Sequence, residues 1–250
     1  MPSFRNGDVE IAYLDEGHGE PMVLVHGFAS NKEVNWVQPG WVSTLTRAGR
    51  RVIALDDRGH GQSTKLYDPA DYHTDLMAGD VAALIAHLKL GRADVMGYSL
   101  GSRISAVLAV RHPDSVRSLI LGGVGGRLVD VAGLHSDVAA ALEAPSIDDV
   151  TDRQGRAFRL FAQQTKSDLR ALAACLRGSR QPLQREELAT IRVPVLVAAG
   201  TRDDIAGSPH ELAKMMPRGL ALEIPNRDHM VAVGDKVFKA GALEFLKERA

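Results

Sequence analysis

The chain has one cysteine, two tryptophans, no excess of either charge and no long apolar run. Each scarcity excludes something. Cys175 alone cannot build a disulfide framework or a thiolate metal site, so a reducing compartment and a cytoplasmic location are expected. The 30 Lys and Arg nearly balance the 31 Asp and Glu, for a formal net charge of -1. No global field then draws the protein to nucleic acid or to an anionic membrane surface, and small neutral partners are expected. The N-terminal "MPSFRNGDVEIAYLDEG" alternates polar residues instead of placing a basic flank before an apolar stretch. Neither an export leader nor a membrane span is expected from the sequence. Oligomeric state is not legible, although "KVFKAGALEFLKE" reads as an amphipathic helix for packing on the chain's own sheet.

What is present is an ordinary globular composition of 250 residues at 45% hydrophobic, enough for a sizeable core. Short apolar runs, "PMVLVHG", "RVIALDD", "ADVMGYS", "SLILGGV", "VPVLVAAG" and "LALEIP", each end in or beside Gly, Pro, Ser or Asp and alternate with helical patterns. Runs that are apolar throughout fit strands buried on both faces of a parallel sheet. The expected class is α/β, a mostly parallel central sheet covered by helices. "DLMAGDVAALIAHLKL" reads as one such helix with Gly91 as its stop. The opening "FRNGDVEIAYLDEG" suggests an antiparallel edge hairpin turning at Asn6-Gly7.

Between "LILGGVGGRLV" and "IRVPVLV" the rhythm changes to helical patterns without a buried strand. Residues 1–126 and 191–250 are therefore predicted to form the core, and 127–190 an inserted helical cap. Ser146 and Asp149 suggest a capping box opening one cap helix, and Ser167 and Gly178 suggest the bounds of another. A cap of this kind would roof a pocket at the carboxyl ends of the strands, where open α/β sheets bind ligands.

The most informative stretch is "ADVMGYSLGSRISAVLAV". It sets Ser99 in a G-x-S-x-G pattern between a predicted strand and a predicted helix, a corner that leaves a hydroxyl projecting above the sheet. A serine nucleophile needs a base, and the base an orienting acid. His229 follows the last predicted strand, and Asp203 and Asp204 follow the strand before it. "VHGFAS", "DDRGHGQS", "GYSLGS", "GTRDD" and "RDHM", in this order, resemble the α/β-hydrolase superfamily, and the resemblance spans nearly the whole chain.

That resemblance implies the α/β-hydrolase fold and a triad of Ser99, Asp203 and His229. Its usual spacing, three residues beyond the glycine that ends the strand, selects Asp203 over Asp204. Asp228 is assigned to a turn, and His87 and His112 to packing or surface. The implied oxyanion donors are the backbone N–H groups of Phe28 and Leu100. In "DDRGHGQS" the resemblance implies structural roles for Asp57, Arg58, Gly59 and Gly61, while His60 is a weaker candidate for the entrance. Phe158, Phe161 and Met230 are candidate pocket residues, with Leu160, Leu169, Leu172 and Leu176 as further apolar cap positions. Arg156, Arg159 and Arg177 read as solvated charges or partners of a carboxylate.

The expected function is hydrolysis of carboxylic esters with short to medium acyl chains, without metal or organic cofactor, on a small-molecule ester substrate. The short "HGF" form of the loop, without a run of glycines, argues against esters of tertiary alcohols. Alternatives within the fold are aminopeptidase, carbon–carbon hydrolase and cofactor-free perhydrolase chemistry; outside enzymology, a ligand receptor. Dehalogenation is disfavoured because it needs a carboxylate where the chain has Ser99.

Overall fold

A computed structural model describes residues 2–129 and 136–249. One sheet carries β1 (Ser3–Asn6), β2 (Val9–Glu16), β3 (Glu20–Val25), β4 (Arg50–Leu55), β5 (Ala93–Tyr98), β6 (Val116–Gly122), β7 (Val195–Gly200) and β8 (Gly219–Ile224). Their order is β1-β2-β4-β3-β5-β6-β7-β8. From β4 to β8 all neighbours are parallel, whereas β2 runs antiparallel to both β1 and β4. The α/β class and the edge hairpin are as the sequence predicts, with Gly7 at φ 61° in the turn. The α-helices described are α1 (Trp41–Arg47), α2 (Thr74–His87), α3 (Leu100–Arg111), α4 (Ser136–Glu143), α5 (Arg153–Gln164), α6 (Leu169–Gly178), α7 (Arg185–Leu188), α8 (Pro209–Ala213) and α9 (Lys236–Glu248). None is long and apolar enough to cross a membrane.

The two-residue period of a strand explains why the central runs are apolar throughout. Val23 and Val25 of β3, Val95 of β5 and Leu119 and Leu121 of β6 face one cluster, shared with α2 and α3. The intervening Met22, Leu24, Met96 and Ile120 face a second cluster. That second face is closed by Trp41 of α1 and by Phe238, Phe245 and Leu246 of α9, so the last helix packs on the sheet. β8 departs from the pattern: as an edge strand it is only half buried, and Leu220 is 57% exposed.

Helices α4 to α7 fall within the predicted insertion, of which residues 130–135 lie outside the described residues. Two predicted boundaries shift. The Ser146–Asp149 capping box forms, but it closes a short 3₁₀ turn, Ile147–Asp149, and α5 instead starts after Asp152, whose carboxylate accepts from Gly155 N. The next helix is capped by Asp168, which takes both Arg170 N and Ala171 N; Ser167 Oγ meets Thr165 Oγ1. In both cases an Asp in extended backbone, six positions beyond Ser146 and directly after Ser167, offers the first turn a charged acceptor. In α2 the stop also comes early: the helix ends at His87, and Lys89 takes the left-handed turn at φ 54° before Gly91.

Candidate active site

Ser99 sits where the fully buried β5 turns into α3, at φ 54° and ψ -114°. Few non-glycine residues hold a positive φ, and the surroundings enforce it here. A Cβ on Gly101 would lie 2.0 Å from Val25 O, and one on Gly97 2.3 Å from Gly101 C. Helix α3 can approach β5 and β3 this closely only with glycine at positions 97 and 101. Ser99 N donates to Gly122 O at 2.8 Å, and the Ser102 hydroxyl donates to the same oxygen.

The predicted partners converge on this corner from the ends of β7 and β8. His229 Nε2 is 2.9 Å from Ser99 Oγ, and His229 Nδ1 is 2.8 Å from Asp203 Oδ2. Asp203 is buried, and its second oxygen accepts from Ile205 N at 3.0 Å and Ala206 N at 2.9 Å. Asp204 is exposed, and no contact between its carboxylate and His229 is found. Asp228 accepts from Met230 N and Val231 N, the turn role expected of it. Tyr98, whose hydroxyl donates to His229 O at 2.5 Å, anchors the histidine loop from β5. Nothing in the sequence pattern singled it out.

On the opposite side lies the loop after β3. His26 and His60 are both fully buried, and burial lowers their pKa, that of His60 to about 3. Both rings are therefore neutral at pH 7, and their tautomers follow from their partners. His26 Nε2 accepts from Asp57 N, so Nδ1 carries the proton and donates to Gly27 O. His60 Nε2 accepts from Ala29 N, so Nδ1 donates to Arg58 O. Gly27 N donates to Asn35 Oδ1 and Ser30 N to Gly27 O. Of the amides of residues 27–30, that of Phe28 is the one for which no such bond is found among the described residues. The Leu100 amide, at the first position of α3, belongs to the turn that has no intrahelical acceptor.

His60 is thus a brace behind the loop and not a group at the entrance, a correction to the sequence expectation. The rest of "DDRGHGQS" is structural as expected. Arg58 forms a two-pronged pair with Asp80 at 2.6 and 2.8 Å, and Gly61 leaves room for the Asp56 carboxylate, 2.2 Å from where its Cβ would be. Asp56 accepts from Lys32 Nζ at 2.6 Å. Burial opposes its ionisation, yet the Lys32 ammonium and the backbone N–H groups of Lys32 and Gln62, all donating to it, hold its pKa below the ordinary value. Lys32, Asn35 and Asp80 were not flagged by sequence because their partners lie 22 to 24 or 8 positions away.

The cleft has two lobes that meet at Ser99 and Phe28, of about 110 and 100 Å³. One includes Leu100 and Leu176; the other includes His229, Met230, Phe158 and Phe161. Phe158 of α5 packs against Phe28 with ring centres 5.9 Å apart, and Thr165 Oγ1 donates to Ala29 O. Leu172 is instead in the core, Leu169 packs against it, and Leu160 is 42% exposed. The predicted cap arginines serve helices. Arg159 is buried, not solvated, and donates to Ala141 O, Leu142 O and Ala144 O at the end of α4. Arg177 pairs with Glu143, and Arg156 donates to Ile147 O.

Residues 20–137 match the family model described as the alpha/beta hydrolase fold. The AB hydrolase superfamily protein YisY of Bacillus subtilis is 30% identical over 226 residues, which cover 82% of each chain. The chain belongs to the α/β-hydrolase superfamily. A second relative, the 2-(acetamidomethylene)succinate hydrolase of Mesorhizobium japonicum, is 28% identical over 90% of this chain and 87% of its own. The crystal structure of the enol-lactonase from Burkholderia xenovorans superposes with a TM-score of 0.77 at 25% identity, over 99% of this chain and 100% of that one. As an α/β-hydrolase, the chain presents a hydroxyl, an imidazole and a carboxylate in one hydrogen-bonded line at the carboxyl edge of its sheet. Such a line can move the hydroxyl proton onto the imidazole while the carboxylate fixes the ring.

Proposed function

We propose that this α/β-hydrolase is a serine hydrolase that cleaves carboxylic esters of short to medium acyl chains through an acyl-enzyme on Ser99. The observation that carries the reading is the unbroken line from Ser99 Oγ through His229 to Asp203, at 2.9 and 2.8 Å. His229 Nε2 takes the Ser99 proton as Oγ attacks the acyl carbon. The oxygen of the tetrahedral intermediate accepts from the amides of Phe28 and Leu100, each donor being worth roughly 3 kcal/mol. The C–O bond to the alcohol then breaks, and the alcohol leaves with the proton from His229. Water, deprotonated by the same nitrogen, releases the acid and returns the proton to Ser99. Asp203 holds the proton-bearing Nδ1 and balances the imidazolium charge. No step requires a metal or an organic cofactor.

Residues 127–190 act as a cap in this reading, supported by Phe158, Phe161 and Leu176 in the walls of the cleft. Two lobes of about 100 Å³ each support small groups on both sides of the ester. The likeness to an enol-lactonase supports it further, a lactone being an internal ester. The buried free thiol of Cys175 fits a cytoplasmic location.

A series of 4-nitrophenyl esters from acetyl to dodecanoyl, compared with Ser99→Ala, tests the reading. Turnover should peak at short to medium chains and fall to background in Ser99→Ala. If no ester turns over faster than with Ser99→Ala, the esterase reading fails and amide, carbon–carbon and receptor ligands are screened next.

A further inference from the structure

Helix α5 meets the loop after β3 at two points, and one of them holds a strained residue. Ala29, fully buried and next to Phe28, has φ 58°. That is the left-handed region, which glycine accepts and a residue with a Cβ avoids. Two bonds keep Ala29 there. Its N–H donates to His60 Nε2 at 3.2 Å, and its carbonyl accepts from Thr165 Oγ1 at 2.9 Å. No other donor to Ala29 O is found among the described residues. Ser30 N closes the turn on Gly27 O at 3.2 Å, which makes Ala29 the third of four residues, the position where a positive φ normally calls for glycine.

Thr165 is itself firmly placed. Helix α5 ends in a Schellman motif: Ser167 N donates to Ala162 O at 2.9 Å, Lys166 N donates to Gln163 O at 3.1 Å, and Lys166 takes the left-handed position at φ 54°. Thr165 Oγ1 lies 2.9 Å from Ala29 O, 3.1 Å from Ala162 O and 2.9 Å from Ser167 Oγ. A hydroxyl has one proton to give, and Ala162 O already has the Ser167 amide. The Thr165 proton therefore goes to Ala29 O, with Ser167 Oγ donating to Thr165. Among the described residues Thr165 lines neither lobe of the cleft, so it acts on the loop and not on a bound ester.

The consequence falls on Phe28. Its amide makes no bond of its own, so the residues on either side set its direction: Gly27 is held by Asn35 and Ser30, and Ala29 by His60 and Thr165. Of these four, Thr165 alone comes from residues 127–190, and its helix also packs Phe158 against the Phe28 ring. We propose that Thr165 is a positioning residue for the oxyanion hole: by clamping Ala29 at positive φ, the end of α5 aims the Phe28 N–H at the oxyanion. This rests on the serine-hydrolase reading, in which Phe28 is a donor. Without the Thr165 hydroxyl, Ala29 O loses its partner and the backbone strain is released by a turn of the loop. The oxyanion forms only after attack, so the loss falls on the transition state and not on ester binding.

Thr165→Val keeps the shape of the side chain and removes the hydroxyl. On 4-nitrophenyl butyrate its kcat should fall about tenfold or more with KM within about twofold of wild type, and Thr165→Ser should recover most of the activity. A smaller folded fraction would also lower kcat, so a tetrahedral adduct supplies a second readout. Butylboronic acid takes an electron pair of Ser99 Oγ to form an O–B bond, the Ser99 proton passes to His229, and a boronate oxygen enters the hole. Its Ki, which is blind to the fraction of folded enzyme, should rise by about the factor by which kcat falls. In an Ala29→Gly background the loss caused by Thr165→Val should shrink to about threefold or less, because glycine holds a positive φ without the clamp. An unchanged Ki, a loss carried by KM, or the same loss in Ala29→Gly overturns the proposal. A crystal structure of Thr165→Val gives a readout without turnover: Ala29 should leave the left-handed region, and an unmoved Ala29 and Phe28 amide overturn the clamp. If wild type cleaves no ester faster than Ser99→Ala, the serine-hydrolase reading is what fails, and the crystal structure alone decides the clamp.

Discussion

Asp203 Oδ2 and His229 Nδ1 meet at 2.8 Å from loops 26 positions apart, and neither side chain of the adjacent Asp204 nor that of Asp228 shares the contact. The pairing predicts unequal effects at neighbouring carboxylates. Asp203→Asn should lower kcat on a 4-nitrophenyl ester by about 10⁴-fold, because an amide donor forces the imidazole proton onto the nitrogen that must accept from Ser99. Asp204→Asn, at an exposed side chain, should stay within about threefold of wild type. Steady-state kinetics on both variants, with circular dichroism as a folding control, checks the assignment; a larger loss in Asp204→Asn would reverse it.

The corner at Ser99 predicts intolerance at Gly101. Gly101→Ala puts a methyl group 2.0 Å from Val25 O, against backbone that cannot move aside cheaply. Stability should fall by about 1–3 kcal/mol or more, and activity should fall with it as the elbow opens. Urea unfolding reads the first and ester turnover the second. Full activity at native stability would show that the corner relaxes.

Buried His60 predicts a pH effect on stability. Unfolded, it takes up a proton below about 6.5; folded, burial delays this to about 3. Between those values the unfolded state binds more protons, so the contribution of His60 to stability is full above the unfolded value and shrinks as pH falls through the window. From pH 7 to pH 5 that loss is about 2 kcal/mol. Asp57, whose pKa burial and the charges of Asp80 and Asp56 raise, acts in the opposite sense, so the readout is a difference. His60→Gln should be less acid-sensitive than wild type by about that amount in urea titrations at the two pH values. Identical pH slopes would place the His60 ring in contact with water.

Asp80 accepts both prongs of Arg58 and a bond from Asn6 Nδ2 at 2.9 Å. Asp80→Ala should therefore cost about 3–5 kcal/mol, because it leaves the Arg58 guanidinium buried without a counter-ion. A double variant that also replaces Arg58 with Met should recover part of that loss; no recovery would mean that Asp80 stabilises the fold through other partners.

The loop after β3 predicts selectivity for the alcohol. Its backbone is tied down at Gly27 and Ala29 by Asn35 and His60, and Phe28 and Phe158 close over it. An ethyl ester should turn over more than about tenfold faster than the tert-butyl ester of the same acid. Comparable rates would show that the loop yields.

Much of the site was legible because the pattern is local. Gly97, Ser99 and Gly101 fall within one strand-to-helix corner, where the backbone itself demands small neighbours and a positive φ at the serine. The strands were legible for a similar reason, since runs such as "MVLV" in β3 serve two faces at once and leave no polar position. Helix boundaries within residues 127–190 were less so. Ser146 and Asp152 are both competent caps, and which one starts the long helix depends on how α5 packs, with Arg159 reaching the end of α4.

By itself, the sequence determined the α/β class, the edge hairpin, the glycine-framed serine, and the histidine and aspartate at the ends of the last two strands. These follow from periodicity, turn chemistry and motif order, which are properties of short stretches. Only the tertiary structure decided that His60 braces the loop from behind, that Arg159 reaches the end of α4, and that Arg103, Arg127 and Arg180 share one lobe beside Ser99. Those facts depend on side-chain direction and on contacts between distant elements. No count of charges along the chain reveals them, because burial and proximity set both the tautomer of a histidine and the field around an arginine.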